Sequence, residues 1–194
     1  LIAMLETRLG RFRLASIVGL SALTLGIGLG GSGRLTYHEA IVAQGACEMI
    51  ANGTFLVPTI DGQPWLEKPP LAHWLVAGLG VLAGGVNEVV ARVPSAVAAT
   101  LLAVGIAVFA SRRLGSTIGL LAGLIQATTF WFVVRGRLAD ADILLACLVT
   151  WLMVVFDRLR RTQDSGLETQ DLPGIAKGPH WSLARRVLQR TTAG

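Results

Sequence analysis

The chain is poor in charge. Only 15% of its 194 residues are Asp, Glu, Lys or Arg, against about 25% in an ordinary soluble domain. The deficit is concentrated: residues 14–33, 69–87, 93–111, 114–134 and 143–156 carry no charge at all. With 53% hydrophobic residues, disorder is excluded, and lipid is a more natural solvent for these runs than a soluble core. Cysteine is scarce too. Cys47 and Cys147 stand far apart in differently patterned segments, which excludes a disulfide framework or a thiolate metal cluster. Three histidines are too few and too scattered for a histidine cage, so neither a metal nor a cofactor is expected. Lysine is nearly missing, two residues against fifteen arginines within a net charge of +5. Those arginines gather at the ends of apolar runs, a membrane-topology pattern rather than a nucleic-acid surface. The composition is that of an integral membrane protein.

Four runs predict spans, at about 14–31, 93–110, 117–134 and 143–157. The first lacks a clear Ala-x-Ala cleavage site and is followed by further apolar segments, so it reads as an uncleaved span rather than an export signal. The last has only 14 uncharged residues and must borrow from its flanks to cross about 30 Å of hydrocarbon. Arg8, Arg11 and Arg13 precede the first span and place the N-terminus in the cytoplasm. Parity then turns on the run Leu71–Val86. If it crosses, Arg112/Arg113 and Arg158/Arg160/Arg161 lie outside. If it lies at the outer interface or dips and returns, all the basic clusters lie inside, which the charge rule favours. Under that arrangement Glu39, Glu67, Lys68, Arg92, Asp140 and Asp142 share the outer face. Residues 1–161 are therefore expected as a transmembrane region with an outer loop and interfacial helices over 32–92, and 162–194 as a cytoplasmic loop or tail. Within that tail, 162–179 reads as loop, and Trp181–Arg190 as a basic helix on the inner leaflet or an ordinary loop helix. The start at Leu1 rather than Met points to a fragment of a longer protein.

The outer loop holds the candidate chemistry. Thr36, with Glu39 three residues on, is a capping-box signature that opens a helix from Tyr37, and Asn52-Gly53 supplies its stop. Glu39 in that first turn suits an anionic base or cation ligand, and equally suits capping alone. In Trp65-Leu66-Glu67-Lys68-Pro69-Pro70-Leu71, Pro69 holds Lys68 extended and the proline pair pre-sets the next helix. Lys68 reads either as a ligand for a lipid phosphate or as a snorkelling interfacial lysine. Glu67 is placed to pair with Lys68 or to reach a polar acceptor, and Trp65 and Trp74 either stack on a sugar or mark the interface. Arg92 either holds an anion across the site or anchors its helix. Arg135, Arg137, Asp140 and Asp142 form a second outer cluster that must face water or polar protein. Helical phase separates the two aspartates, and Asp140, nearer the loop, ranks first. Ser95 and Ala99 read as packing.

The segment LTYHEAIVAQGACEMIANGTFLVPTIDGQPWLEKPPLAHWLVA resembles the first outer loop of polytopic, lipid-sugar-dependent glycosyltransferases of the GT-C type, namely the protein mannosyltransferases and lipid A aminoarabinose transferases. ARVPSAVAATLLA and GRLADADILLACLVTW resemble the segments that follow, so the resemblance covers roughly residues 14–157. It implies an all-α polytopic membrane fold, the N-terminal portion of a larger GT-C protein with outer-face juxtamembrane helices. It further implies transfer of a sugar from a polyprenyl-phosphate donor to a lipid, protein or glycan acceptor at the outer face of a cell (inner) membrane. By the same resemblance Lys68 matches the phosphate-contacting lysine, Glu67 its acidic neighbour, Arg92 the arginine that opens the next span, and Asp140 or Asp142 the later outer acidic residue; Tyr37 and Trp65 join Lys68, Glu67, Arg92 and Asp142 as donor-binding candidates. Glu39, His38 and Asp140 are the catalytic candidates. The family's Asp-Glu pair reads His38-Glu39 here, so His38 stands where the family has its Asp. Competing readings are a non-catalytic transporter or flippase component for lipid-linked substrates, and an inactive membrane fragment.

Overall fold

The structure, a computed structural model, describes residues 8–30 and 34–169. Among these there are seven helices and one minimal hairpin: α1 (Arg8–Gly26), α2 (Tyr37–Asn52), β1 (Thr59–Ile60), β2 (Gln63–Pro64), α3 (Leu71–Ala83), α4 (Glu88–Leu114), α5 (Ser116–Thr128), α6 (Phe130–Gly136) and α7 (Ala141–Thr169). The fold is all-α, as expected. The chain divides into two compact units, one up to Val155 and one from Phe156.

In the first unit α4 is the central element. The Asn87 side chain accepts the Val90 amide at 2.9 Å and caps its start. Glu88 in the first turn and Arg112 and Arg113 in the last complement the helix dipole. Its buried face is built from small residues, among them Ala91, Ala98, Ala99, Ala103 and Ala107. That lets α5 come close. A Cβ on Gly119 would lie 2.6 Å from the Ala107 carbonyl, and one on Gly123 2.7 Å from Ile17 and 2.9 Å from Ala107. Gly119 and Gly123, four apart, thus form a small-xxx-small seam against α4 and α1. On α7, Trp151 Nε1 donates to the Leu101 carbonyl of α4 at 3.1 Å. The opposite side of α7 exposes Leu145, Leu148, Val149 and Leu152, an apolar stripe at helical spacing.

Helix α4 by itself is long and apolar enough to cross a bilayer. Helices α5 and α6 pass that test only together, and they bend by 63° at Thr129, so the span expected at 117–134 is broken. The spans expected at 14–31 and 143–157 correspond to α1 and α7, whose ends carry charge: Arg11 and Arg13 in α1, Asp142, Asp157 and Arg158 in α7. Helix α1 also stops at Gly26. The run Leu71–Val86 yields a helix of 13 residues, about 20 Å at 1.5 Å per residue. In the second unit, helix continues to Thr169, so residues 162–169 are not loop; Arg161 and Asp157, one turn apart, pair at 3.3 Å. The basic segment Trp181–Arg190 lies outside the described residues.

The loop after α2 is more ordered than its turn-rich sequence implies. Asp61 and Gly62 take φ of 52° and 75°, the two left-handed residues of a tight hairpin turn, and pair Thr59 with Pro64 and Ile60 with Gln63. Glu48 fastens this hairpin to α2. It accepts the Thr59 hydroxyl at 2.6 Å, the Asp61 amide at 2.7 Å, the Gly62 amide at 3.3 Å and the Gln44 amide group at 3.2 Å. The Thr59 hydroxyl, followed by those amides and Gln44, outweighs partial burial and holds the Glu48 carboxyl below its ordinary pKa.

Candidate functional site

The site is assembled where the starts of α2, α3, α4 and α7 converge, and its foundation is a buried ion pair. Thr36 and Glu39 form the capping box of α2: the Thr36 amide and hydroxyl donate to Glu39 Oε2 at 2.8 and 3.0 Å. From α4, Arg92 Nε donates to Glu39 Oε1 at 2.7 Å and Nη2 to Oε2 at 3.3 Å, the two-pronged geometry of an arginine fork. The Ala139 amide adds a bond to Oε1 at 3.3 Å, and Arg92 Nη1 reaches the Leu29 carbonyl at 3.0 Å. Glu39 and Arg92 are 1% and 3% exposed. Burial alone would raise the Glu39 pKa. Arg92, the Thr36 amide and hydroxyl and the Ala139 amide together outweigh it, and the carboxyl sits below the ordinary range.

Above this pair lies a cavity of about 160 Å³ lined by Tyr37, His38, Trp65, Lys68, His73 and Asp140, with Glu67 at its edge. Tyr37 and His38 meet edge to face, with ring centroids 5.5 Å apart. Asp140 is locked in place. Its amide donates to Ser95 Oγ at 2.9 Å, Ser95 Oγ donates back to its carbonyl at 3.2 Å, and Arg135 Nη2 lies 2.6 Å from its Oδ2. Asp142 faces away, pairing with Arg135 at 2.8 Å and with Lys68 Nζ at 3.2 Å. A second, apolar groove of about 150 Å³ adjoins, lined by Pro69, Leu71, Ala72, Leu144, Leu145 and Leu148, with Lys68 and Asp142 at its polar end. Lys68 borders both spaces.

Of the residues singled out in the sequence, Tyr37, His38, Trp65, Glu67, Lys68 and Asp140 come together around the polar cavity. Asp142 belongs to the groove. Glu39 and Arg92 line neither space: Glu39 caps α2 and pairs with Arg92 beneath the cavity. Lys68 pairs with Asp142 instead of Glu67. Trp74 is outside the cavity, its indole N–H bonded to the Phe55 carbonyl. Ser95 is a polar clamp on Asp140 rather than packing. Sequence reasoning overlooked Arg135 as the link between the two aspartates, and His73 as a cavity wall. The signal for His73 was a polar residue inside the apolar stripe Ala72, Val76, Ala77, Gly80 of α3. No group of three or more metal-ligating side chains occurs among the described residues.

Residues 67–167, more than half of the chain, match the family described as dolichyl-phosphate-mannose-protein mannosyltransferase. An uncharacterized protein of Aquifex aeolicus (strain VF5) is 32% identical over 148 residues, which is 73% of this chain and 30% of that protein. The chain thus spans about 30% of the length of this curated relative. No solved structure matches.

Proposed function

The chain belongs to the dolichyl-phosphate-mannose-protein mannosyltransferase family, a membrane-embedded glycosyltransferase family, and from that premise we propose that it carries the donor site of a transferase that uses a polyprenyl-phosphate sugar. The observation that carries this reading is the position of Lys68, at the junction of a polar cavity and an apolar groove. A lipid-phosphate sugar has that same order: apolar tail, phosphate, polar glycosyl group. A lysine ammonium is a compact charge suited to phosphate, and a leucine-lined groove suits a prenyl chain.

The chemistry is an inverting displacement. The acceptor hydroxyl attacks the anomeric carbon and its proton passes to His38. The bond from that carbon to the donor oxygen breaks, and the electron pair leaves on the polyprenyl phosphate, stabilised by Lys68. His38 suits the base role because it borders the cavity, whereas Glu39 is enclosed by five hydrogen bonds from Thr36, Arg92 and Ala139. Asp140, fixed by Ser95 and Arg135, orients the acceptor. The acceptor is a lipid, protein or glycan hydroxyl.

Reaction at the outer face of a multi-pass inner-membrane protein fits the same features. Helix α3 falls short of the roughly 30 Å of hydrocarbon and exposes Trp74, Leu75, Val81 and Leu82, as an interfacial helix does. Without a crossing there, Arg112 and Arg113 share a side with Arg11 and Arg13, and the cavity faces the other. The test supplies radiolabelled polyprenyl-phosphate mannose to membranes carrying the intact protein. Transfer of label with release of polyprenyl phosphate is expected, falling about 10²-fold or more in His38→Ala and Lys68→Ala. Binding of the donor without release would favour a carrier instead.

A further inference from the structure

We propose that His73 reads the sugar: its imidazole forms the buried wall of the polar cavity and hydrogen-bonds a hydroxyl of the glycosyl group held beside Lys68. The inference rests on the transferase reading above. His73 is 2% exposed, lies on the packed face of α3, and borders the same cavity as Lys68 and His38. Neither Nδ1 nor Nε2 has a hydrogen-bond partner among the described residues. Its buried polar neighbours Glu39, Arg92 and Ser95 differ in this respect, each having side-chain partners, and Asp140 Oδ2, which also accepts no hydrogen bond, at least faces Arg135 Nη2 at 2.6 Å. Orphaned polar atoms in a packed wall oppose folding, and a phenyl ring would fill the same space without that cost. An imidazole kept there against stability is matched to something that enters the cavity.

The Cδ2–Nε2 edge of the ring packs closely against α2. A Cβ on Gly45 would lie 2.6 Å from His73 Cδ2 and 3.1 Å from Nε2, so only glycine on α2 leaves room for the imidazole edge. Burial lowers the His73 pKa, which favours the neutral ring. A neutral imidazole offers one donor and one acceptor, the complement of a hydroxyl rather than of an anion. The phosphate is served by Lys68, and the group next to a phosphate in the donor is the sugar.

The test compares polyprenyl-phosphate mannose with its monodeoxy analogues in membranes carrying the intact protein, as wild type, His73→Phe and His73→Gln. Loss of one such hydrogen bond is expected to lower kcat/KM for the natural sugar by about 10-fold in His73→Phe, while thermal stability holds or rises. One deoxy position should cost the wild type about 10-fold and His73→Phe nothing, and His73→Gln, which keeps a donor and an acceptor, should recover part of the rate. If His73→Phe matches wild type, or every deoxy donor penalises both proteins equally, His73 is packing and the inference fails alone. If wild type turns over no mannosyl donor, the transferase reading fails and takes the inference with it.

Discussion

Replacing Glu39 by Gln separates a structural carboxylate from a catalytic one. Glu39 receives five hydrogen bonds, two of them from a guanidinium that is itself 3% exposed. An amide in its place can accept through one oxygen only and turns an NH2 group toward other donors. Arg92 then keeps the Leu29 carbonyl at 3.0 Å but loses its counter-charge. Removing one partner of a buried pair costs about 3–5 kcal/mol, a large part of the roughly 5–15 kcal/mol that stabilises a typical domain. Thermal and denaturant unfolding in detergent should therefore show Glu39→Gln and Arg92→Met each strongly destabilised. The double variant Glu39→Met/Arg92→Met should recover much of the loss, because no unpaired charge remains. Acid should act in the same direction. The folded Glu39 carboxyl has a pKa below its ordinary 4.5, so its contribution is complete above 4.5 and disappears as pH falls through the lower, folded value. The double variant should lack that acid-dependent loss. A Glu39→Gln protein that melts like wild type and yet transfers no sugar would refute the reasoning and return Glu39 to the role of base.

Three further outcomes follow from the same contacts. Lys68→Ala should lower donor turnover about 10²-fold while changing stability by less than about 1 kcal/mol, since Lys68 and Asp142 are 46% and 60% exposed; paired melting and turnover assays separate the two effects. Gly119→Val should destabilise the fold by about 1–3 kcal/mol or more, because its Cβ meets the Ala107 backbone oxygen of α4; a melting temperature equal to wild type would mean that the α4–α5 seam opens freely. Glu48→Ala should speed amide exchange across residues 59–64 and leave α4 and α5 protected, as Glu48 is the shared acceptor for that hairpin.

Local signals proved legible where one residue determines one contact. Thr36 and Glu39 announced the start of α2 and Gly53 its end, with φ of 66°. Lys68-Pro69-Pro70 announced a displayed lysine before α3. What escaped was decided by distant partners. Glu39 looks the same in sequence whether it caps, binds or catalyses; Arg92, 53 residues on, decides by closing over it. Ser95 reads as a small packing residue until the 139–141 turn arrives 45 residues later to use its hydroxyl. The two aspartates border different spaces, as expected, but a turn rather than helical phase separates them: Asp140 precedes the first residue of α7, and Arg135 joins the two. The break between α5 and α6 at Thr129 has no proline or charge to signal it.

Under the proposed transferase reading, the neighbours His38 and Glu39 divide their roles, and position 38 is the one to test. Successive residues of a helix point about 100° apart, so once Glu39 turns inward to Arg92, position 38 is presented to the cavity. The resembling transferases have Asp there. If position 38 supplies the base, His38→Asp should keep transferring sugar, because the carboxylate occupies the same place relative to Lys68. His38→Asn, with similar size and no basic nitrogen, should lose about 10²–10⁴-fold. Measured on membranes carrying the intact protein, a His38→Asp variant that folds but is as inactive as His38→Asn would place the base elsewhere on the cavity wall, where Glu67 and Asp140 supply carboxylates and Asp140 is the one held by Arg135.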